Sequence, residues 1–107
     1  MRIPASQEEY LLGGCLDYAF AVIDTYGGRL YVVTVGHFVH HVVVRIGDKF
    51  VDVLGHHSKQ ELLDLWEEHK QHPGVVAVRL ARATDLREFD TDEDRYERAV
   101  CEIQPGR

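Results

Sequence analysis

The chain has 107 residues, a length that suits one domain with a single hydrophobic core. Apolar residues make up 45% and charged residues 28%, a balance typical of globular proteins rather than disordered ones. The formal charge is −6, of which −5 lies between Thr84 and Glu102, where eight acids accompany three arginines. Because phosphate binding needs a basic surface, this charge argues against a nucleic-acid partner.

Neither a membrane span nor an export signal is predicted. The longest nearly unbroken apolar run, Phe38 to Val44, contains two histidines and is too short to cross a bilayer. The residues after Met1 lack the basic, apolar and small-residue order of a signal peptide. We therefore expect a cytoplasmic protein without membrane contact, with export by another route or membership of a longer chain left open. Cys15 lies among apolar residues and Cys101 in a charged segment, which argues against a structural disulfide.

The first predicted elements are two helices. Ser6-Gln7-Glu8-Glu9 is a capping box, which predicts a short helix from Ser6 to Leu12. Gly13-Gly14 ends this helix. From Cys15 to about Tyr26, apolar residues cover most of the circumference of a helix, which predicts a central, buried element.

Strands follow. Two segments rich in Val, Tyr and Phe, Arg29 to Val35 and Phe38 to Ile46, predict β-strands. Gly47-Asp48 predicts a two-residue hairpin turn, and the chain returns through a third strand from Lys49 to Leu54. We interpret His56-His57 as a solvated loop.

The second half begins with another helix. Ser58-Lys59-Gln60-Glu61 is a second capping box, and it opens an amphipathic helix that ends at His72-Pro73-Gly74. The inner face of this helix comprises Leu62, Leu65, Trp66 and His69. The sequence leaves open whether Trp66 is a core residue or an exposed anchor for a dimer. A strand from Val75 to Ala81 and a helix from about Thr91 to Cys101 complete the chain.

These elements predict a single α+β domain over residues 1–107. A buried N-terminal helix packs on a small antiparallel sheet, with the amphipathic helix and an acidic C-terminal helix outside it. The core extends over about residues 6–82, and the acidic segment over residues 84–102.

The predicted hairpin places a histidine beside a carboxylate. If Gly47 and Asp48 form the turn, Val43 faces Asp52 and His41 faces Leu54. Side chains alternate across a strand, so His41 and Asp52 become diagonal neighbours on one face of the sheet. In this register His40 points to the opposite face, and a slip of one residue would exchange the two histidines.

Cys15 is predicted at the start of the buried helix. Unpaired amides and the helix dipole favour a thiolate at this position, and a nearby imidazolium lowers the thiol pKa further. The amides around Gly14 and Cys15 are suited to an oxyanion hole. If the helix packs on the face of the sheet that carries His41 and Asp52, Cys15 attacks, His41 moves the proton and Asp52 fixes the imidazole tautomer.

These segments resemble a known family. Gly13-Gly14-Cys15-Leu16-Asp17-Tyr18-Ala19 resembles the nucleophile segment of transglutaminase-like proteins, and the segment from His41 to Asp52 resembles their His strand, turn and Asp strand. The wider group is the papain-like superfamily, which includes the NlpC/P60 peptidases. The resemblance covers roughly Gly13 to Gly55. It implies a helix packed on an antiparallel sheet, and cleavage or exchange of an amide or ester through a thioester on Cys15.

Further residues are candidates near the substrate. Papain-like enzymes often place a Gln upstream of the Cys as an oxyanion donor, and here Gln7 lies inside the first capping box. Tyr10 or Tyr18 would supply a hydroxyl instead. We also predict that His37 or His56 lines the mouth of the Cys15 pocket. The expected partner is a peptide or protein substrate, and no cofactor is expected.

Other interpretations remain open. The chain can keep a papain-like fold and act as a protein-binding module without turnover. His37, His40 and His41 lie within five residues and suggest a metal site, although their spacing matches no common zinc motif. The acidic segment from Asp85 to Glu97 predicts a solvated helix with arginines pairing along it, or a docking surface for a basic protein. These arginines are Arg87, Arg95 and Arg98.

Overall fold

A computed structural model of the protein describes residues 14–87, 89 and 91–103. The predicted helix from Ser6 to Leu12 lies outside these residues, as does Tyr10. The described residues form an α+β fold, with one antiparallel sheet of five strands and four helices. The predicted α+β class is thus confirmed for this part of the chain.

The elements follow the chain in a simple order. The helices are α1 (Cys15–Tyr26), α2 (Lys59–His69), α3 (Ala83–Leu86) and α4 (Glu93–Ile103). The strands are β1 (Arg29–Val35), β2 (Phe38–Ile46), β3 (Lys49–Asp52), β4 (Gly55–His57) and β5 (Val76–Leu80). Their order in the sheet is β4-β3-β2-β1-β5. The predicted bounds of α1, β1 and β2 are confirmed, whereas β4 and α3 are elements that the sequence patterns did not indicate.

The β2–β3 hairpin has the predicted register. Ile46 pairs with Lys49, and the ladder continues to the pair Val44 and Val51. Gly47 has a φ of +63°, a left-handed conformation that favours glycine and suits the first position of a two-residue turn. The recorded ladder ends at Val44 and Val51, and His41 and Asp52 lie just beyond it.

A β-bulge changes the expected position of His40. Val33 pairs with His41, but the next residue, Thr34, pairs with Val39, so His40 is an extra residue in β2. The prediction that His40 points away from His41 is therefore wrong, since both rings lie beside Trp66, with ring centroids 6.3 and 5.3 Å from the indole. Strict alternation fails here because the bulge adds one residue to one strand only.

The two faces of the sheet carry separate apolar clusters. On one face, Val42, Val44 and Val51 pack against α1. On the other, Val43 and Phe50 pack against Leu62 and Trp66 of α2. Trp66 therefore belongs to the core on this face. By alternation His41 and Asp52 belong to the α2 face, so α1 does not pack on the face that carries them, and Cys15 meets them where the β2–β3 ladder ends.

The C-terminal helix α4 is a packed element rather than a solvated one. Ala21 of α1 and Ala99 of α4 are both fully buried, and these small side chains allow the two helices to approach closely. Arg95 pairs across the two helices, since its Nε donates to Asp17 of α1 at 2.7 Å. The hydroxyl of Tyr96 also donates to Asp24 of α1.

Among the described residues, no helix has both the length and the apolar character that crossing a membrane requires.

Candidate active site

Cys15 is the first residue of α1, with Gly14 as the N-cap. Both residues are buried, and Cys15 is 3% exposed. The first amides of a helix have no partner within the helix and carry its positive dipole end. Amides in this position can bind an oxyanion formed next to the sulfur.

Asp52 lies between two histidines. Nε2 of His41 donates to Oδ2 of Asp52 at 3.1 Å, and Nε2 of His57 donates to Oδ1 at 2.9 Å. The amide of Leu54 also donates to Oδ1 at 2.9 Å, which makes Asp52 the first residue of an Asx-type turn. Both rings must present an N–H to this carboxylate, because an ionised carboxylate only accepts.

The geometry of the sheet explains this arrangement. Asp52 pairs with Gly55 and Phe50 pairs with His57, so His57 is the diagonal neighbour of Asp52 on β4. His41 is the corresponding diagonal neighbour on the β2 side, as the hairpin register predicted. One carboxylate therefore has an imidazole on each flank.

The contacts shift the protonation equilibria of this cluster. Burial acts to lower the pKa of His41, but its hydrogen bond to Asp52 and its interaction with Cys15 outweigh burial and raise the pKa from 6.5 to about 9. Burial acts to raise the pKa of Asp52, and the hydrogen bonds from His41 and His57 overcome it and hold that pKa well below its usual range. At neutral pH the site therefore contains an imidazolium beside a carboxylate.

Cys15 and His41 line the same narrow gap, together with Asp52 and Tyr18. The thiol lies close enough to raise the pKa of His41, by hydrogen bonding and, when ionised, by its charge. Since Nε2 of His41 is bound to Asp52, Nδ1 is the nitrogen that remains for the sulfur. Nδ1 makes no hydrogen bond of regular geometry to any residue that the structure describes, so the contact with sulfur is loose. Such contacts tighten when an enzyme binds its substrate.

Trp66 shields the imidazole from solvent. Its ring lies 5.3 Å from that of His41, with an interplanar angle of 33°. An apolar cover of this kind lowers the local dielectric and strengthens the ion pair between His41 and Asp52. Trp66 thus acts on the site from the α2 side, whereas Cys15 reaches it from the α1 side.

The site is closed in this conformation. Cys15, His41 and Asp52 are 3%, 1% and 3% exposed, and the gap among them is too narrow for a water molecule. Tyr18, Ala19, Val42, Val51 and Val53 also line this gap. A substrate carbonyl can reach the sulfur only after these walls separate.

The remaining predicted residues lie in different places. Gly14 is the N-cap residue next to Cys15, and Tyr18 lines the same gap as Cys15. His37 lies in the exposed turn between β1 and β2, and His56 is exposed on β4; neither lines the gap around Cys15. Tyr10 falls outside the described residues.

His57 is the site residue that the sequence patterns did not identify. The predicted loop at His56-His57 is instead the short strand β4, which returns the chain beside β3 through a two-residue turn at Val53 and Leu54. The available signal was Asp52 followed three residues later by Gly55, a spacing that is typical of a tight turn and places His57 across from Phe50.

A second buried carboxylate lies two residues after Cys15 in the chain. Asp17, in the first turn of α1, accepts from Arg95 at 2.7 Å and from the amide of Asp92 at 3.1 and 3.2 Å. The guanidinium of Arg95 offsets the negative charge of this buried carboxylate.

The histidines do not gather into a metal site in the part of the chain that the structure describes. There, no three side chains of His, Cys, Asp or Glu are placed to hold a metal ion. His40 and His72 do stack, with ring centroids 5.3 Å apart.

Comparisons with protein-family models, with curated proteins and with solved structures found no match for this chain. The interpretation of the site therefore depends on its own geometry and on the chemistry of its side chains.

Proposed function

We propose that the protein is a cysteine-nucleophile hydrolase or acyl-transferase that acts on an amide bond of a peptide or protein. Peptidase, deamidase and transamidase activities use the same three groups and differ in the leaving group and the acceptor. The proposal includes membership of the papain-like superfamily, in its transglutaminase-like or NlpC/P60-like branch. It also includes a cytoplasmic location.

The observation that carries the proposal is that Cys15, at the start of α1, lines one gap together with His41 and Asp52. The imidazole has its Nε2–H bound to Asp52 at 3.1 Å and a pKa raised to about 9, and the thiol adjoins the same ring. A positive imidazolium beside a thiol at a helix N-terminus favours the thiolate–imidazolium pair, which is the nucleophile of cysteine hydrolases.

The reaction follows from these positions. The Cys15 sulfur attacks the carbonyl carbon, a C–S bond forms, and the helix-start amides bind the oxyanion. His41 gives its Nδ1 proton to the leaving nitrogen as the C–N bond breaks, which leaves a thioester and a neutral imidazole. His41 then takes a proton from water or from an amine, and this second nucleophile displaces Cys15 to yield an acid or a new amide.

The pH dependence of alkylation at Cys15 tests the proposal. All variants carry Cys101→Ser, so that Cys15 is the remaining thiol of the chain. We expect iodoacetamide to modify Cys15 below pH 7, and His41→Ala to slow this reaction about a hundredfold at pH 6.5. An ordinary thiol of pKa about 8.5 is only about 1% ionised at that pH.

His40→Ala is the matched control, because His40 is the adjacent histidine and lies beside the same indole. It should leave the alkylation profile nearly unchanged. If Cys15 of the Cys101→Ser protein, with both histidines intact, reacts only above pH 8 or after denaturation, the proposal is wrong.

A second candidate function is a papain-like fold that binds a protein without turnover. The closed gap around Cys15 favours it, since no substrate reaches the sulfur in this conformation. An activated ester such as p-nitrophenyl acetate separates the two candidates. An enzyme should release a burst of nitrophenol and carry an acetyl group on Cys15 in the intact mass spectrum, and both signals should vanish in Cys15→Ser.

An acidic docking surface for a basic protein stays a prediction within this proposal. The outer face of α4 exposes Asp94, Glu97 and Glu102. Charge complementarity of this kind accelerates association and makes it sensitive to salt.

A further inference from the structure

His57 contacts the carboxylate oxygen of Asp52 that does not bind His41. Its Nε2–H donates to Oδ1 at 2.9 Å, while Oδ2 accepts from His41 at 3.1 Å. The Asp52 side chain is 3% exposed and that of His57 only 15%. Asp52 thus has three donors, His41, His57 and the amide of Leu54, and its two oxygens are fixed in a single orientation.

A strand pair and a helix start fix the backbone position of His57. Phe50 is its partner in the β3–β4 ladder. The next residue, Ser58, begins α2 with a capping box, in which its hydroxyl accepts from the amide of Glu61 and its own amide donates to the Glu61 carboxylate. The imidazole therefore projects from backbone that is fixed by a strand pair and by a helix start.

We propose that His57 is a positioning residue: its Nε2–H holds the Asp52 carboxylate in the rotamer that orients His41 toward Cys15. This inference rests on the proposed function, and it adds a fourth member to the series on the side away from the nucleophile. His57 does not touch the sulfur or the reacting atoms. It acts through Asp52, whose rotation would break the bond to His41.

His57 acts on Asp52 through a hydrogen bond rather than through its charge. The bond to Asp52 is the main cause that raises the pKa of His57, ahead of burial, which lowers it. The other charged groups that act on this ring are Glu61, which raises its pKa, and His41, which lowers it. Because a neutral imidazole with its proton on Nε2 also donates to Asp52, the orientation persists after His57 loses its charge.

Two polar substitutions separate positioning from mere packing. In His57→Gln the side-chain amide nitrogen occupies the place of the imidazole Nε2 and can donate to Asp52. His57→Asn ends its side chain near the place of Nδ1, which is too short for this contact. His56→Ala is the matched control, because His56 is the neighbouring exposed residue of β4 and pairs with Val51.

The experiment uses the full chain with Cys101→Ser and records the rate of Cys15 alkylation by iodoacetamide from pH 5 to pH 10. We expect His57→Asn to slow the reaction about tenfold at pH 6.5 and to shift its pH profile upward by about one unit, the effect of losing one hydrogen bond to a charged group. His57→Gln should stay within about threefold of the parent protein, and His56→Ala should match it.

An NMR titration of the His41 ring gives a second readout that needs no catalysis. In His57→Asn the pKa of His41 should fall toward its ordinary value, and in His57→Gln it should stay high. The positioning role is overturned if folded His57→Asn keeps the parent profile and the parent His41 titration, or if His57→Gln behaves as His57→Asn does. A parent Cys15 that is unreactive below pH 7 overturns the proposed function, whereas the His41 titration still decides the role of His57.

Discussion

Two buried carboxylates flank the proposed nucleophile, and they are held in different ways. Asp17 is 2% exposed and Asp52 is 3% exposed. Asp17 accepts from the Arg95 guanidinium and from the amide of Asp92. Asp52 accepts from two imidazoles and from a backbone amide. Burial and hydrogen-bond number are therefore similar, and the difference lies in the donors.

The donors decide what each cluster can do. A guanidinium stays protonated at every physiological pH, so the Asp17 pair cannot pass protons and serves to fasten α4 to α1. Imidazoles gain and lose protons near neutrality, and both histidines around Asp52 have raised pKa values. The Asp52 cluster is therefore suited to proton transfer, whereas the Asp17 pair is suited to holding the two helices together.

The largest expected effect is on reactivity. Asp52→Asn should slow alkylation of Cys15 about a hundredfold at pH 6.5, because the imidazolium of His41 loses the carboxylate that stabilises it. Asp17→Asn should change this rate less than about twofold in the folded protein. Equal losses in the two variants, measured with iodoacetamide in the Cys101→Ser background, would remove the distinction between the carboxylates.

The next expected effect is on the free energy of unfolding. Asp17→Asn should lower the free energy of unfolding by about 2 kcal/mol, because it leaves the Arg95 guanidinium without its buried partner. The loss is smaller than for a fully buried pair, since Arg95 is 18% exposed. Urea unfolding followed by circular dichroism measures it.

Asp24→Asn is the control for this second prediction. Asp24 lies on the same helix, is exposed, and accepts from Tyr96 of α4. Asp24→Asn should lower the free energy of unfolding by less than about 1 kcal/mol. A cost as large as that of Asp17→Asn would mean that burial of the carboxylate is not what makes the Asp17 pair stabilising.

The smallest effect is the pH dependence of stability. The pKa of His41 is raised from 6.5 to about 9, so its contribution is fully present below pH 6.5 and is lost as the pH rises toward 9. His57 acts in the same direction. We expect the free energy of unfolding to fall by about 1.5 kcal/mol between pH 6.5 and 8.

His41→Gln should flatten this dependence, while Arg95→Lys should leave its slope intact, since neither cation at position 95 titrates in that range. Denaturant titrations at four or five pH values measure the slope. His57 keeps a smaller slope in His41→Gln, so only a slope as steep as that of the parent protein would place the titrating group elsewhere.

Much of the site was predictable because it depends on local patterns. The Gly47-Asp48 turn sets the β2–β3 register, and the register makes His41 and Asp52 diagonal neighbours, which the 3.1 Å hydrogen bond confirms. Gly13-Gly14 before an apolar segment indicates a helix start, and α1 does begin at Cys15. The catalytic role of these residues stays a prediction.

The sequence by itself determined the hairpin, the buried helix and the Ser58 capping box, because each depends on residues that are close along the chain. Tertiary structure decided the rest. The bulge at His40 depends on how β1 pairs with β2, and the Arg95–Asp17 bond joins residues that are 78 positions apart. His57 reaches Asp52 only because β4 adds to the sheet edge. Such contacts are selected by packing over the whole molecule, and no repeating local pattern encodes them.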